Sequence, residues 1–160
     1  MILRTLLVSV LFSTVACAQT RTIIKEPKIT LGWTTFIDEA PIDHLVAGGS
    51  VRFYVTRRIG IEPELLYLKG PHDDRDLTFM PHFTYDFGNS KRRIPYVTVG
   101  AGFLHHSDKI GLLKFTHTEW TVSGGVGIKV FLTDKIFFAP EFRMGFEPIV
   151  RATGSIGFVF

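Results

Sequence analysis

From residue 28 onward, apolar side chains recur at every second position, the period of a β-strand. The clearest stretch is 120–132. Trp120, Val122, Val126, Ile128, Val130 and Leu132 share one face with Gly124, and Thr121, Ser123, Gly125, Gly127, Lys129 and Phe131 form the other. Residues 136–146 repeat the design, with Ile136, Phe138, Phe142, Met144 and Phe146 opposing Glu141, Arg143 and Gly145. The last segment sets Ile156, Phe158 and Phe160 against Arg151, Thr153, Ser155 and Gly157. Segments 28–36, 44–55, 59–67, 78–87 and 96–103 alternate in the same way, which makes eight. Turn-like breaks fall at 37–43, 56–58, 69–76, 88–94, 107–114, 133–135 and 147–148.

An even number of strands closes an antiparallel sheet without a free edge, but the period does not say which face points inward. A soluble lipocalin-like barrel also has eight strands and turns its apolar face toward a ligand. Side-chain volume argues for the opposite arrangement here. The apolar face carries most of the 15 Phe residues plus Trp33 and Trp120, more than an eight-stranded interior holds. The other face carries Gly48, Gly100, Gly102, Gly125, Gly127 and Gly157. Glycine relieves crowding in a narrow lumen and weakens a water-facing strand. The bulky face therefore looks outward at lipid, and the predicted fold is all-β: an eight-stranded antiparallel up-and-down transmembrane β-barrel over residues 28–160.

The charges follow the same parity. Arg52, Lys129, Arg143 and Arg151 fall on the inner face with Glu62, Glu64, Glu119 and Glu141, four of each sign. On the lipid face each would cost about 2–4 kcal/mol near the midplane, whereas inside they can pair. An interior salt-bridge network that plugs the lumen is the expectation, and charged side chains solvated on an ordinary sheet are the bland alternative.

The first residues bear on compartment. Arg4 precedes an apolar run at 6–15, and Ala16-Cys17-Ala18 offers a small-x-small cleavage site. This is the layout of a secretory signal peptide (residues 1–18), too short for a spanning helix, and residues 19–27 then form a short N-terminal segment. The rival is lipidation of Cys17, although Thr14 stands where a lipobox prefers a branched aliphatic residue. Cleavage would remove the only cysteine and lower the formal charge from +3 to +2, so neither thiol chemistry nor nucleic-acid binding is expected.

The ending Ile156-x-Phe158-x-Phe160 resembles the assembly signal of Gram-negative outer-membrane barrels, which the barrel assembly machinery reads. Residues 95–102, Pro-Tyr-Val-Thr-Val-Gly-Ala-Gly, and 125–131, Gly-Val-Gly-Ile-Lys-Val-Phe, are typical of such proteins. Over 28–160 the chain resembles the small outer-membrane β-barrel superfamily of OmpA-like and OmpX-like proteins. The resemblance implies an outer-membrane location, both termini in the periplasm, and outer-membrane lipid and lipopolysaccharide as surroundings. The breaks near 37–43, 69–76, 107–114 and 147–148 would then face outside. A monomer is expected.

Candidate chemistry is sparse. Some barrels of this superfamily are lipid A deacylases with a His-x-Ser on one strand and a Glu on the next, and His105, Ser107 and Glu119 have that order. However, His105 and Ser107 share a face opposite to that of Glu119. They also lie on segments five and six rather than on the last two. His105, His106 and His117, or Asp73, Asp74 and Asp76, offer metal-ligating groups, but adjacent histidines point to opposite faces. No cofactor and no metal is expected. Three function classes remain: a barrel with a structural or surface-interaction role and no catalysis, a narrow small-solute channel, and a lipid A hydrolase.

Overall fold

The computed structural model describes residues 24–37, 41–71, 74–88, 90, 92–110, 113–146 and 149–160; the predicted signal peptide and its cleavage site lie outside them. Eight strands follow one another: β1 (Lys25–Phe36), β2 (Ile42–Tyr54), β3 (Ile59–Lys69), β4 (Arg75–Asp86), β5 (Arg93–Ile110), β6 (Leu113–Phe131), β7 (Ile136–Gly145) and β8 (Ile149–Phe158). Each pairs antiparallel with the next, and β1 pairs with β8 from Lys28↔Gly157 to Phe36↔Ile149, so the sheet closes. Lys25 and Phe160 extend this seam by reciprocal backbone hydrogen bonds of 3.2 and 3.0 Å.

The exposure pattern is that of a soluble protein turned inside out. Trp120 is 67% exposed and Phe83 63%, while Arg52 and Glu62 have no exposed surface. Ile29, Leu31, Leu45, Leu65, Phe79, Val99, Val126, Phe142 and Met144 also face outward. Such an exterior matches a hydrocarbon solvent, and a closed sheet satisfies every backbone group that the solvent cannot. Aromatic residues gather near the two ends of the strands, with Trp33, Tyr67, Phe103 and Trp120 at one end and Tyr85, Phe87, Phe158 and Phe160 at the other. Phe103 lies against Trp120 with ring centroids 4.1 Å apart. Amphipathic rings at both borders anchor a barrel at the headgroup level.

Three strands depart most from the alternation-based expectation. β1 begins at Lys25 rather than Lys28, because Glu26 and Lys28 point into the lumen and supply no apolar signal. The predicted break at 107–114 is mostly strand: β5 continues to Ile110 and β6 starts at Leu113, with Ile110↔Leu113 as the last pair of the register. Beyond the apolar belt both faces of this hairpin turn polar (His105, His106, Ser107; Thr116, His117, Thr118), so the two-residue hydrophobic period disappears while the pairing does not. β6 pairs with β7 only from Ser123 onward, so its first ten residues stand above that neighbour.

Glycine sets the close approaches. A Cβ on Gly48 would strike the Leu65 carbonyl oxygen and lie 2.8 Å from Leu66 Cα, both backbone atoms of the paired strand β3. Backbone cannot rotate away, so Gly48→Ala should destabilise the barrel by about 1–3 kcal/mol, measured as a lower urea midpoint in lipid vesicles. An unchanged midpoint would mean that the strands separate locally at little cost. Gly127 serves a different need: a Cβ there would lie 2.5 Å from the Tyr96 ring, which is packed in the lumen.

Candidate functional site

The lumen is the part of the molecule where reactive groups converge. Strand parity sends every second residue inward, and the inward positions carry five buried or nearly buried cations, Lys28, Arg52, Lys129, Arg143 and Arg151. Five carboxylates face them, Glu26, Glu62, Glu64, Asp86 and Glu141. They form two linked layers. In the layer nearer the termini, Glu62 accepts from Lys28 Nζ, Arg52 Nε and Ser50 Oγ, each at 2.7 Å. Arg52 Nη1 continues to Asp86 at 3.0 Å. Asp86 also accepts from Lys129 Nζ at 2.6 Å and from the Tyr54 hydroxyl at 2.5 Å, and Lys129 reaches Glu26 at 3.2 Å.

The second layer centres on Glu64, which binds Arg143 Nη1 at 3.0 Å and Arg151 Nη2 at 2.8 Å. Arg143 Nε meets Glu141, and Arg143 Nη1 donates to His82 Nε2 at 2.6 Å. Tyr96 joins the layers. Its ring lies 4.5 Å under the Arg52 guanidinium, a cation–π contact, and its hydroxyl donates to Glu141 at 2.9 Å. Small apolar clusters bracket this charged stretch: Tyr96, Phe137 and Ala139 toward the termini, and Val46, Leu66 and Leu68 toward the other end. Removed from water, each pair is held by stronger electrostatics and is correspondingly expensive to break.

Little open space is left inside. A cavity of about 40 Å³ lies beside Arg143, lined by Thr34, Thr78, Met80, Leu104 and Thr121 among others. The hydroxyls of Thr78 and Thr121 have no partner among the described residues. A cavity of that size has room for about two or three waters.

The structure places the sequence-predicted residues as follows. Arg52, Glu62, Glu64, Lys129, Glu141, Arg143 and Arg151 share the lumen and bond to one another as described. Glu119 stands apart at the far mouth, where its Oε1 lies 2.5 Å from His106 Nε2. His105 faces outward and bonds Thr118 Oγ1 at 2.8 Å, so His105, Ser107 and Glu119 are not brought together. Ile156, Phe158 and Phe160 all point outward at the end of β8. Sequence reasoning missed Glu26, Lys28, Asp86, Tyr54 and Tyr96. Parity alone would have found each of them, had it been extended past the apolar residues.

Comparisons agree with this geometry. Among solved structures, the N-terminal β-barrel domain of Pseudomonas aeruginosa OprF superposes with a TM-score of 0.71 at 17% identity, covering 86% of this chain and 97% of that one. Neisserial surface protein A gives 0.72 at 10% identity, again with 86% and 97% coverage. Ail, the attachment invasion locus protein of Yersinia pestis, gives 0.57 at 11%, covering 84% of this chain and 98% of that one. At such identities the likeness is one of fold. No curated protein sequence matches. A family profile does, and it spans residues 5–145, nearly the whole inside-out sheet and most of its lumen charges. With lipid-facing rings outside and ion pairs within, the chain belongs to the outer membrane protein beta-barrel domain family and resides in the outer membrane.

Proposed function

We propose that this protein is a plugged, non-catalytic outer-membrane barrel with a structural or surface-interaction role. The observation that carries the reading is the pair of salt-bridge layers crossing the lumen, which leave room for isolated waters and not for a solute column. Eight-stranded interiors are filled by side chains as a rule, and ten charged groups locked to one another add a barrier to any passing ion. The separation of His105 and Ser107 from Glu119 weighs against the hydrolase alternative, since a serine nucleophile needs its base and orienter within hydrogen-bond reach.

In the orientation proposed, the termini and the turns at 55–58, 87–92 and 132–135 face the periplasm. The long β5–β6 hairpin rises into the lipopolysaccharide layer and is the surface available for contact. The outward-pointing Ile156, Phe158 and Phe160 are free for recognition by the assembly machinery before the seam closes. In planar bilayers the folded protein should produce no discrete conductance steps above the bare-membrane baseline. Reproducible steps that vanish on boiling would replace this reading with that of a small-solute channel.

A further inference from the structure

The mouth opposite the termini holds a cluster of side chains that the lumen network does not use. His106 and His117 face each other directly across β5 and β6, and Glu119 lies two residues further along β6 on the same inward face. His106 Nε2 is 2.5 Å from Glu119 Oε1, His117 Nε2 is 3.8 Å from the same oxygen, and all three donor atoms lie within 4.8 Å of one another. At 3.8 Å, His117 makes no hydrogen bond with Glu119. Its ring is instead stacked on that of His106, with centroids 4.7 Å apart and planes inclined by 21°. Two imidazoles and a carboxylate thus converge at the mouth, with His117 Nε2 left outside the His106–Glu119 hydrogen bond.

Behind them sits Asp76, 1% exposed. His106 Nδ1 lies 2.9 Å from Oδ1, and His44 Nε2 lies 3.4 Å from Oδ2. A buried carboxylate against the far nitrogen of an imidazole is the arrangement that orients metal-ligating histidines and raises their basicity.

We propose that His106 Nε2, His117 Nε2 and Glu119 Oε1 bind a divalent transition-metal ion of the zinc class at the barrel mouth, with Asp76 orienting His106. Imidazole and carboxylate suit this class better than calcium or magnesium, which prefer all-oxygen shells. An ion holding such ligands at about 2.0–2.2 Å keeps neighbouring donors roughly 3.3 Å apart, between the two separations seen here. Three protein ligands leave a fourth position open to water. His117 is well exposed and Glu119 partly so, which gives the ion a route from solvent.

The test is Zn²⁺ titration of the detergent-folded protein, made without an oligohistidine tag, in competition with a chromophoric chelator. Cobalt(II) absorption would report the geometry. One tight site is expected. His117→Ala and Glu119→Gln should each weaken it at least about tenfold, and Asp76→Asn by about 10–100-fold. His105→Ala, which alters the adjacent outward-facing histidine, should leave it unchanged. His117 is exposed, so its removal should not impair folding, and gel mobility before and after boiling checks each variant. Absence of zinc binding by the unaltered chain, or equal binding by His117→Ala, overturns the proposal. The cluster would then be only a His106 imidazole shared between Asp76 and Glu119.

Discussion

Replacing Arg143 by methionine is expected to destabilise the folded barrel by about 3–5 kcal/mol, the usual consequence of removing one partner from a buried ion pair. Arg143 is 2% exposed and ties together Glu64, Glu141 and His82. Without it, Arg151 is the ion-pair partner left to two buried carboxylates among the described residues, 2.8 Å from Glu64 and 4.0 Å from Glu141. Methionine fills much of the same volume, so the loss reports charge rather than a cavity. The companion variant is decisive. Arg143→Met combined with Glu64→Gln restores the balance of signs and should be clearly more stable than the sum of the two single changes, a coupling that contacting residues show and distant ones do not. Urea unfolding in phospholipid vesicles, followed by fluorescence of the outward-facing Trp33 and Trp120, gives both numbers. A single-variant loss below about 1 kcal/mol, the value of an ordinary exposed pair, would mean that the lumen is wet enough to solvate these charges.

Phe83→Arg carries the second large effect, a loss approaching the roughly 2–4 kcal/mol that a lipid-facing arginine costs at the bilayer midplane. Phe83 is the ninth of the twelve residues of β4 and lies between Ile61 of β3 and Val99 of β5, and all three point outward. The sign of the result is informative. Were this face in water, replacing an exposed phenylalanine by arginine would be neutral or mildly favourable. Comparison in vesicles and in a detergent with a small, loosely ordered micelle should show the loss shrink in the second, since an arginine there reaches water more easily.

Much of this architecture was legible in the chain because membrane barrels encode two solvents at a two-residue period. Trp120 to Leu132 shows it best: the rings and aliphatic groups of one parity meet lipid, and Gly125, Gly127 and Lys129 of the other meet the lumen. The pattern fails where one of the solvents is missing. Glu26-Pro27-Lys28 has no apolar partner to alternate with, so the start of β1 was hidden. Where the β5–β6 hairpin leaves the apolar belt, His105-His106-Ser107 and Thr116-His117-Thr118 are polar on both faces, so their pairing left no hydrophobic trace. The ion pairs were legible only as a set of inward charges. Which carboxylate meets which cation depends on strand stagger and barrel width: Glu64 and Arg143 are on β3 and β7, across the lumen from each other, and no local spacing relates them. The groups packed behind His106 at the mouth were obscured for the same reason. His44, Asp76 and His106 come from three strands and meet only because the cylinder brings them to one level.

The seam between β1 and β8 bears on how such a chain acquires its shape. Its two strands are the first and last to be made, and the Lys25–Phe160 bonds join residues that are 135 positions apart. No subset of hairpins can complete the circle, and until the final strand arrives every partial ribbon has two unsatisfied margins and a row of inward charges lacking counterparts from the other side. Folding should therefore proceed as one late, concerted event, and a chain shortened by its last strand should accumulate as an open, aggregation-prone sheet rather than as a smaller ring.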